Sequence, residues 1–361
     1  MTKPKRVVVA MSGGVDSSLT AALLKERGYE VIGITMQIWP TDETVAGEQS
    51  CCSLSAVEDA RAVAYQLDIP FYVVNFEDIF AEKVIDYFVE EYAQARTPNP
   101  CIMCNQEVKF KAFLKKSLEL DGDYMATGHY AKIEHNSEER HLIRKAEDED
   151  KDQSYTLYGL TQQQLERTLM PLGEFKKSET RELAKEFGLA VHDKPDSQEI
   201  CFIPDDDYNR FLAENYPEII EPGPILDLEG NKLGKHKGLP FYTIGQRRGL
   251  GLSYHKPLYV VELDSERNAL IVGDNQDVFG KKLIATEVNW VAIPRLEKEM
   301  EVEAKVRYNV SPAKANIYPL STGRVKVEFE TKQRAITPGQ AVVFYQQDIL
   351  IGGGIIEQEL R

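Results

Sequence analysis

Cysteine is scarce in this chain: there are five in 361 residues, an odd number and too few for a disulfide scaffold. Their spacing is uneven, with Cys51 beside Cys52, Cys101 and Cys104 in a C-x-x-C, and Cys201 alone, which leaves thiol chemistry or simple burial as their use. Long apolar runs are missing too. The stretch from Val31 to Met36 falls far short of the roughly 20 residues that span a bilayer, so a membrane protein is excluded. The opening Met-Thr-Lys-Pro-Lys-Arg has neither the apolar stretch nor the small-residue cleavage site of a signal peptide, and a cytoplasmic location is expected. Positive charge is in deficit. Lys and Arg number 43 against 58 Asp and Glu, a formal charge of -15, so a bound nucleic acid must meet a local basic patch on an acidic molecule. What the chain does have is 42% hydrophobic and 28% charged residues, the balance of a folded protein, and length enough for two or three domains.

The first two hundred residues alternate β-branched runs with helical patterns, which predicts an α/β fold with a doubly wound, mostly parallel sheet. Arg6 to Met11, Val31 to Met36, Phe71 to Phe76 and Tyr124 to Thr127 read as strands, buried on both faces because they barely alternate. Ser17 to Arg27, Ser55 to Leu67, Ile79 to Ala95 and Val108 to Leu118 carry apolar residues three and four apart, as helices do. The polar run from Glu134 to Asp152 is expected to form a loop, and two more helices are expected at Thr161 to Leu169 and Ser178 to Phe187. From about Pro222 short β segments are separated by turn clusters, and the last eighty residues alternate like a small barrel or sandwich. The expected division is 1–204, a catalytic α/β domain; 205–280, a small central β-rich α+β domain; and 281–361, a C-terminal β-barrel.

The strand RVVVAM runs directly into Ser12-Gly13-Gly14-Val15-Asp16-Ser17-Ser18 and then into a helix. Two glycines let backbone N–H groups approach a phosphate, and the serine hydroxyls add donors at a helix N-terminus. The loop lacks the lysine of the G-x-x-x-x-G-K-S/T phosphate loop. Asp16 in a phosphate cradle makes sense if it holds Mg²⁺ on a pyrophosphate. The stretch resembles the PP-loop ATP pyrophosphatases, marked by S-G-G-x-D-S-S after the first strand, which cut ATP between its α and β phosphates. That superfamily includes nitrogen-transfer ligases as well as tRNA-modifying enzymes, so the loop implies ATP and leaves the substrate open.

The cysteines narrow the choice. Asn99-Pro100-Cys101-Ile102-Met103-Cys104-Asn105 places two thiols one turn apart just ahead of the expected helix at Val108, where a helix N-terminus favours thiolate. Ninety-seven residues after Cys104 comes Cys201, within Asp196-Ser197-Gln198-Glu199-Ile200-Cys201-Phe202. Two separated cysteines suit persulfide chemistry, one carrying a terminal sulfur and the other attacking it or closing a disulfide. Zinc on Cys51, Cys52, Cys101 and Cys104, a thioredoxin-like C-x-x-C, and plain burial are the competing readings.

Taken with ATGHYA, KDQSY, LPFYTIGQRRGLG, KVRY and AITPGQAVVFY, these motifs resemble the tRNA-specific 2-thiouridylase family over essentially the whole chain. The resemblance implies Cys104 as nucleophile and Cys201 as persulfide carrier. It implies that Ala10, Met11, Ser12, Gly13, Gly14, Val15, Asp16, Ser17, Met36 and Gly128 line ATP. It sets Asn99, Pro100 and Cys101 against the target base, and Lys151, Asp152, Gln153, Arg307 and Tyr308 against the tRNA. In some relatives the position of Cys101 is acidic. ATP and Mg²⁺ are the implied co-substrates, with tRNA carrying a wobble uridine and an upstream persulfide donor protein, a cysteine desulfurase or a relay, as partners.

The residues supply a basic patch as well. Positions 231 to 260 hold Lys232, Lys235, Lys237, Arg247, Arg248 and Lys256 with no acid, alongside Phe241, Tyr242 and Tyr254, which suits phosphate binding with base stacking. Lys305, Arg307 and Tyr308 are expected on one alternating strand, with Tyr308 pointing away from the other two. His129, after a strand end, is either a site residue or a structural histidine. The expected reaction is adenylation of the uracil 2-carbonyl oxygen, a poor leaving group, followed by sulfur delivery from the Cys201 persulfide, freed or pushed by Cys104, and loss of AMP. The rivals are a nitrogen-transfer ligase on a small molecule and a non-catalytic RNA-binding protein.

Overall fold

The computed structural model describes residues 4–38, 54–135, 140–196, 200–203 and 205–360. Cys51, Cys52 and the Ser-Gln-Glu of the PDSQEICF motif lie outside these. The chain divides into two units: Met1–Val84 with Cys101–Asp206 and Asp348–Leu350, and Ile85–Pro100 with Asp207–Gln347 and Ile351–Arg361.

In the first unit, β1 (Arg6–Ala10) leads into α1 (Val15–Glu26), followed by β2 (Glu30–Gln37), α2 (Leu54–Gln66), β3 (Phe71–Asn75) and α3 (Glu77–Phe80). The helical run winds as a π-helix over Ala81–Ile85 and passes into α4 (Asp86–Ala93). Next come α5 (Pro100–Met103), a π-wound stretch Cys104–Ala112, α6 (Phe113–Glu119), β4 (Tyr124–Ala126), β5 (Lys132–Glu134), β6 (Leu142–Arg144), α7 (Gln162–Glu166), β7 (Thr168–Leu169) and α8 (Lys177–Glu186). The sheet order is β3-β2-β1-β4-β7, parallel throughout. Val7, Val8 and Val9 of β1 have no exposed surface, because a central strand of a doubly wound sheet is covered on both faces. Chain order reverses between β1 and β4, so the loops after these two strands meet at the crevice where ligands of such folds bind.

The second unit holds α4 and, after α9 (Tyr208–Asn215), a four-stranded sheet in the order β10-β11-β8-β9, built from β8 (Gly223–Leu226), β9 (Lys232–His236), β10 (Tyr259–Asp264) and β11 (Ala269–Gly273). Its core is Ile225, Leu239, Tyr242, Leu250, Leu258, Val260, Leu270 and Val272. The chain then forms β12 (Phe279–Trp290), β13 (Met300–Lys305), β14 (Ala313–Pro319), β15 (Val325–Arg334), β16 (Ala341–Gln346) and β17 (Ile349–Leu360). These run β12-β15-β14-β13-β16-β17, and pairing of β12 with β17 closes the ring, which leaves the barrel without an open edge.

Several expectations need correction. The strand at Phe71 is not buried on both faces: β3 is the sheet edge, with Tyr72 and Val73 exposed. Its apolar letters resemble those of β1 because β-branched residues suit strands at either place. Residues 134 to 152 are not all loop, since β5 and β6 pair as a hairpin. The helix expected at Thr161 to Leu169 stops at Glu166, and Thr168–Leu169 joins the sheet beside β4. The helix expected from Val108 already begins at Pro100, a residue that fits a first helical turn, so Cys101 and Cys104 lie inside it. Finally, β13 ends at Lys305, and Arg307 and Tyr308 lie in the turn beyond it. Strand alternation no longer applies there, and the Lys305 ammonium sits 5.4 Å from the Tyr308 ring centre.

Candidate active site

The loop after β1 is shaped to hold an anion. Gly13 has φ +69°, and a Cβ there would lie 2.1 Å from the Ala56 carbonyl oxygen, so only glycine fits. Gly14 caps α1 with no side chain to accept from the helix, which leaves the first-turn amides at Val15, Asp16 and Ser17 without a side-chain cap. Ser17 Oγ accepts from the Ser12 amide at 3.1 Å and donates to the Gly14 carbonyl at 3.2 Å, bracing the turn. Gly128, after β4, closes the other side: a Cβ there would lie 2.9 Å from the backbone of Asp16 and Ser17. Ala10 and Met11 lead into the loop, and Met36 lies half-buried on β2, the next strand. The crevice expected from the topology therefore brings together most of the residues assigned to ATP.

Asp16 anchors a chain of charges. Its carboxylate accepts both from Lys177 Nζ, at 2.7 and 2.8 Å, and from the Tyr130 hydroxyl at 2.7 Å. Lys177 Nζ also reaches Asp196 at 2.8 Å, and Asp196 is paired in turn with Lys151 at 2.8 Å and Arg181 at 3.1 Å. Arg181 further donates to the carbonyls of His192 and Lys194, and Lys194 bonds Asp59 and the Gly13 carbonyl. Lys177 is the first residue of α8, where a cation opposes the helix dipole, and it is only 9% exposed. That placement is unfavourable unless two carboxylates hold it. Burial pushes the Asp196 carboxyl up, but hydrogen bonds from Lys151 and Lys177 outweigh it and the net direction is down. Burial and then the Asp16 charge raise the Tyr130 hydroxyl, which therefore stays protonated and keeps donating. Lys151, Lys177, Arg181 and Lys194 thus gather four cations beside the phosphate loop of an acidic protein, each paired with a carboxylate.

The cysteines differ in access: Cys101 is exposed, Cys104 buried and Cys201 half-buried. Cys101 lies in the first turn of this helix, and Cys104 opens the π-wound stretch one turn further on. Asn105 pins the stretch by donating to the Thr156 carbonyl and hydroxyl, each at 3.1 Å. Phe202, next to Cys201, packs edge-on against Phe80 of α3, and α3 packs against the stretch that begins at Cys104.

His129 sits beside Phe110 of the same stretch, with Nδ1 2.8 Å from the Thr127 hydroxyl. Burial, and then the charge of Lys109, hold its imidazole well below the ordinary 6.5. Between the folded value and 6.5 the unfolded chain binds a proton that the folded protein refuses, so stability falls as pH drops below 6.5. Burial lowers His135 and His236 as well, so denaturation midpoints measured from above 6.5 to well below it are expected to fall less steeply in His129→Gln; an unchanged profile would assign the pH dependence elsewhere.

The residues assigned to tRNA lie in different settings. Lys151 is tied to Asp196, and Asp152 accepts from the amides of Ala146 and Ser154 and from the Ser154 hydroxyl. Gln153 Oε1 accepts from the Tyr130 amide, so these side chains also organise the loop that carries them. In the second unit, Gln340 donates to the carbonyls of Thr97 and Pro98 and so fixes the approach to Asn99 and Pro100. Arg307 donates to the Ile244 carbonyl and the Thr337 hydroxyl. Tyr242 is buried and cannot serve as a stacking platform, whereas Arg247, Arg248 and Tyr254 are exposed. Sequence reasoning missed Lys177 and gave Tyr130 and Asp196 no role. Lys177 has no motif around it, and its signal is spatial.

Comparison with known proteins agrees along the whole chain. Residues 5–205 match the family described as "tRNA methyl transferase HUP domain", 209–274 its PRC-barrel domain and 280–356 an aminomethyltransferase beta-barrel domain. The tRNA-specific 2-thiouridylase MnmA of Halothermothrix orenii is 58% identical over 98% of this chain and 99% of its own. The protein of the same name from Clostridium perfringens strain 13 is 58% identical over the full length of both chains. MnmA 1 of Clostridium botulinum strain Loch Maree is 57% identical, again over 98% and 99%. This chain belongs to the tRNA-specific 2-thiouridylase family.

Proposed function

We propose that the protein converts the wobble uridine of tRNA anticodons to 2-thiouridine in a reaction that consumes ATP. The observation that carries this reading is the ion chain Asp16–Lys177–Asp196, which links the phosphate loop to a residue five positions before Cys201. An enzyme that must activate an oxygen and then deliver sulfur to the same carbon needs both devices. The relatives' name agrees with this chemistry. Methyl transfer, the wording of the family description, has no use for a loop that cradles a pyrophosphate.

ATP enters as its magnesium complex, so the metal is part of the substrate. Asp16 already receives Tyr130 and Lys177, and among the described residues no three metal-ligating side chains come together. The residues fit a Mg²⁺ that would be held mainly by phosphate oxygens, with Asp16 as the loop carboxylate that would reach it. Lys177, Lys194 and the amides of α1 neutralise the pyrophosphate as the uracil 2-oxygen bonds the α-phosphorus. The terminal sulfur of a Cys201 persulfide then bonds C2 and AMP leaves. Cys104 thiolate attacks the Cys201 sulfur, freeing the thiocarbonyl and closing a Cys104–Cys201 disulfide. Alternatively Cys104 attacks first and releases hydrosulfide, which adds to C2. Both routes end in a disulfide that an external thiol must reduce by two electrons.

Asn99, Pro100 and Cys101 are assigned to the target base, and Lys151, Asp152, Gln153, Arg307 and Tyr308 to the tRNA. Residues 1–204, 205–280 and 281–361 are the domains of this account. The sulfur source is a persulfide-bearing protein. No described helix is long and apolar enough to cross a membrane, and a cytoplasmic place, where tRNA is modified, completes the proposal.

Asp16→Ala should lower tRNA-dependent AMP and pyrophosphate formation by about a hundred-fold, since it removes one of the two carboxylates that hold Lys177 and the one carboxylate of the loop. Release measured with saturating tRNA and sulfide checks this. An unchanged rate would mean that loop order and metal binding are supplied elsewhere.

A further inference from the structure

The second unit contains a cavity of about 420 Å³ that the proposed reaction leaves unused, lined by Arg247, Gly249–Leu252 and Tyr254–Leu258. Three features define its chemistry. Leu250 and Leu258, buried in the core of the four-stranded sheet, form an apolar floor with Leu252 packed beside them. Over it stand the Tyr254 and His255 rings, 4.3 Å apart and tilted by 37°, with Tyr254 44% exposed. At the rim are Arg247 and Lys256, and no Asp or Glu lines the cavity. Lys256 is held in place by Asp274 at 2.8 Å. Gly249 and Gly251 have φ +79° and +67°, and a Cβ at Gly251 would meet nothing within 4 Å, so the wall presents bare backbone to whatever enters.

A purely phosphate-binding surface has no use for a leucine floor and an exposed tyrosine, and a purely apolar ligand has no use for two cations. The volume suits one small ligand and is too narrow for a duplex. We infer that this cavity binds one unpaired RNA nucleotide, its base against Tyr254 and its phosphate between Arg247 and Lys256. The inference rests on the tRNA reading and extends it: a second nucleotide, besides the reacting uridine, is taken out of its stack and held. Base stacking on an aromatic ring tolerates any base, so the cavity contributes affinity and register with little sequence preference.

The test is binding of an unmodified tRNA transcript across a salt series, with a short single-stranded uridine oligonucleotide as second probe. Tyr254→Ala should weaken both by about ten-fold or more, and Tyr254→Phe, which keeps the ring, should restore them. Arg247→Ala should reduce the slope of log affinity against log salt by about 0.7, one single-strand phosphate contact. Wild-type affinity in Tyr254→Ala, or equal losses in the Ala and Phe variants, would overturn the inference. So would normal RNA binding combined with impaired sulfur acceptance from a donor protein, which would make the cavity a protein-docking site. Because binding is read without turnover, failure of the cavity is separable from failure of the thiolation reading, which would appear as wild-type protein forming no 2-thiouridine.

Discussion

Serine at position 104 or 201 is expected to lower 2-thiouridine formation by about three orders of magnitude or more while ATP binding stays intact. The change exchanges one sulfur for oxygen at each site and nearly keeps its shape, so folding is not the issue. What it removes differs between the two. Serine 201 cannot carry a persulfide, because oxygen forms no comparable S–S-type bond, and serine 104 is not ionised at neutral pH and cannot open one. Neither cysteine belongs to the phosphate loop, which rests on Gly13, Gly14, Ser17 and Gly128. Cys101→Ser should keep measurable sulfur transfer, since the account gives its thiol no step. Without added reductant, the unsubstituted enzyme should stop after one product per active site with Cys104 and Cys201 joined, a state that non-reducing peptide mapping detects. Normal turnover in either single variant would remove the relay.

The second large effect is expected at Lys177. Lys177→Met keeps the length of the side chain and deletes the charge between Asp16 and Asp196, leaving two carboxylates facing each other in a mostly buried setting. Removing one partner of a buried pair costs 3–5 kcal/mol in general, and because Asp16 and Asp196 are 31% and 24% exposed a loss of about 2 kcal/mol is expected. AMP formation should fall by about a hundred-fold or more, because the phosphate loop loses the lysine paired with its Asp16. The two effects separate by a second change. Asp196→Asn added to Lys177→Met relieves the repulsion and should recover part of the stability, but none of the AMP formation. Urea unfolding and single-turnover AMP release measure both. Recovery of AMP formation in the double variant would make Lys177 a structural residue only.

The phosphate loop was legible from sequence because its requirements are local: glycines where the chain must turn, serines where donors are needed, and a strand and helix on either side. The barrel was legible for a similar reason, as alternation along each strand marks the face toward its core. Places where structure departs from expectation are those where distant residues decide. Phe71 to Asn75 has the composition of a central strand, and only the sheet order makes it an edge. Thr168 and Leu169 look like the last turn of a helix, and it is the free side of β4 that recruits them. The apolar spacing marks a helix only from Val108, yet Pro100 opens the helix that carries both cysteines. Lys177 stands in an ordinary amphipathic helix, and its partners lie 161 residues before it and 19 after it in the chain. No local pattern could name it.

The central claim is best tested by mass spectrometry of the nucleosides of unmodified tRNA incubated with the protein, MgATP and a persulfide-bearing sulfur donor, with no free sulfide added. The account predicts a wobble uridine in which sulfur replaces one oxygen, formed only with ATP and only when Cys104 and Cys201 are both present. Uridine left unchanged while AMP is still released would contradict it and point to a nitrogen acceptor.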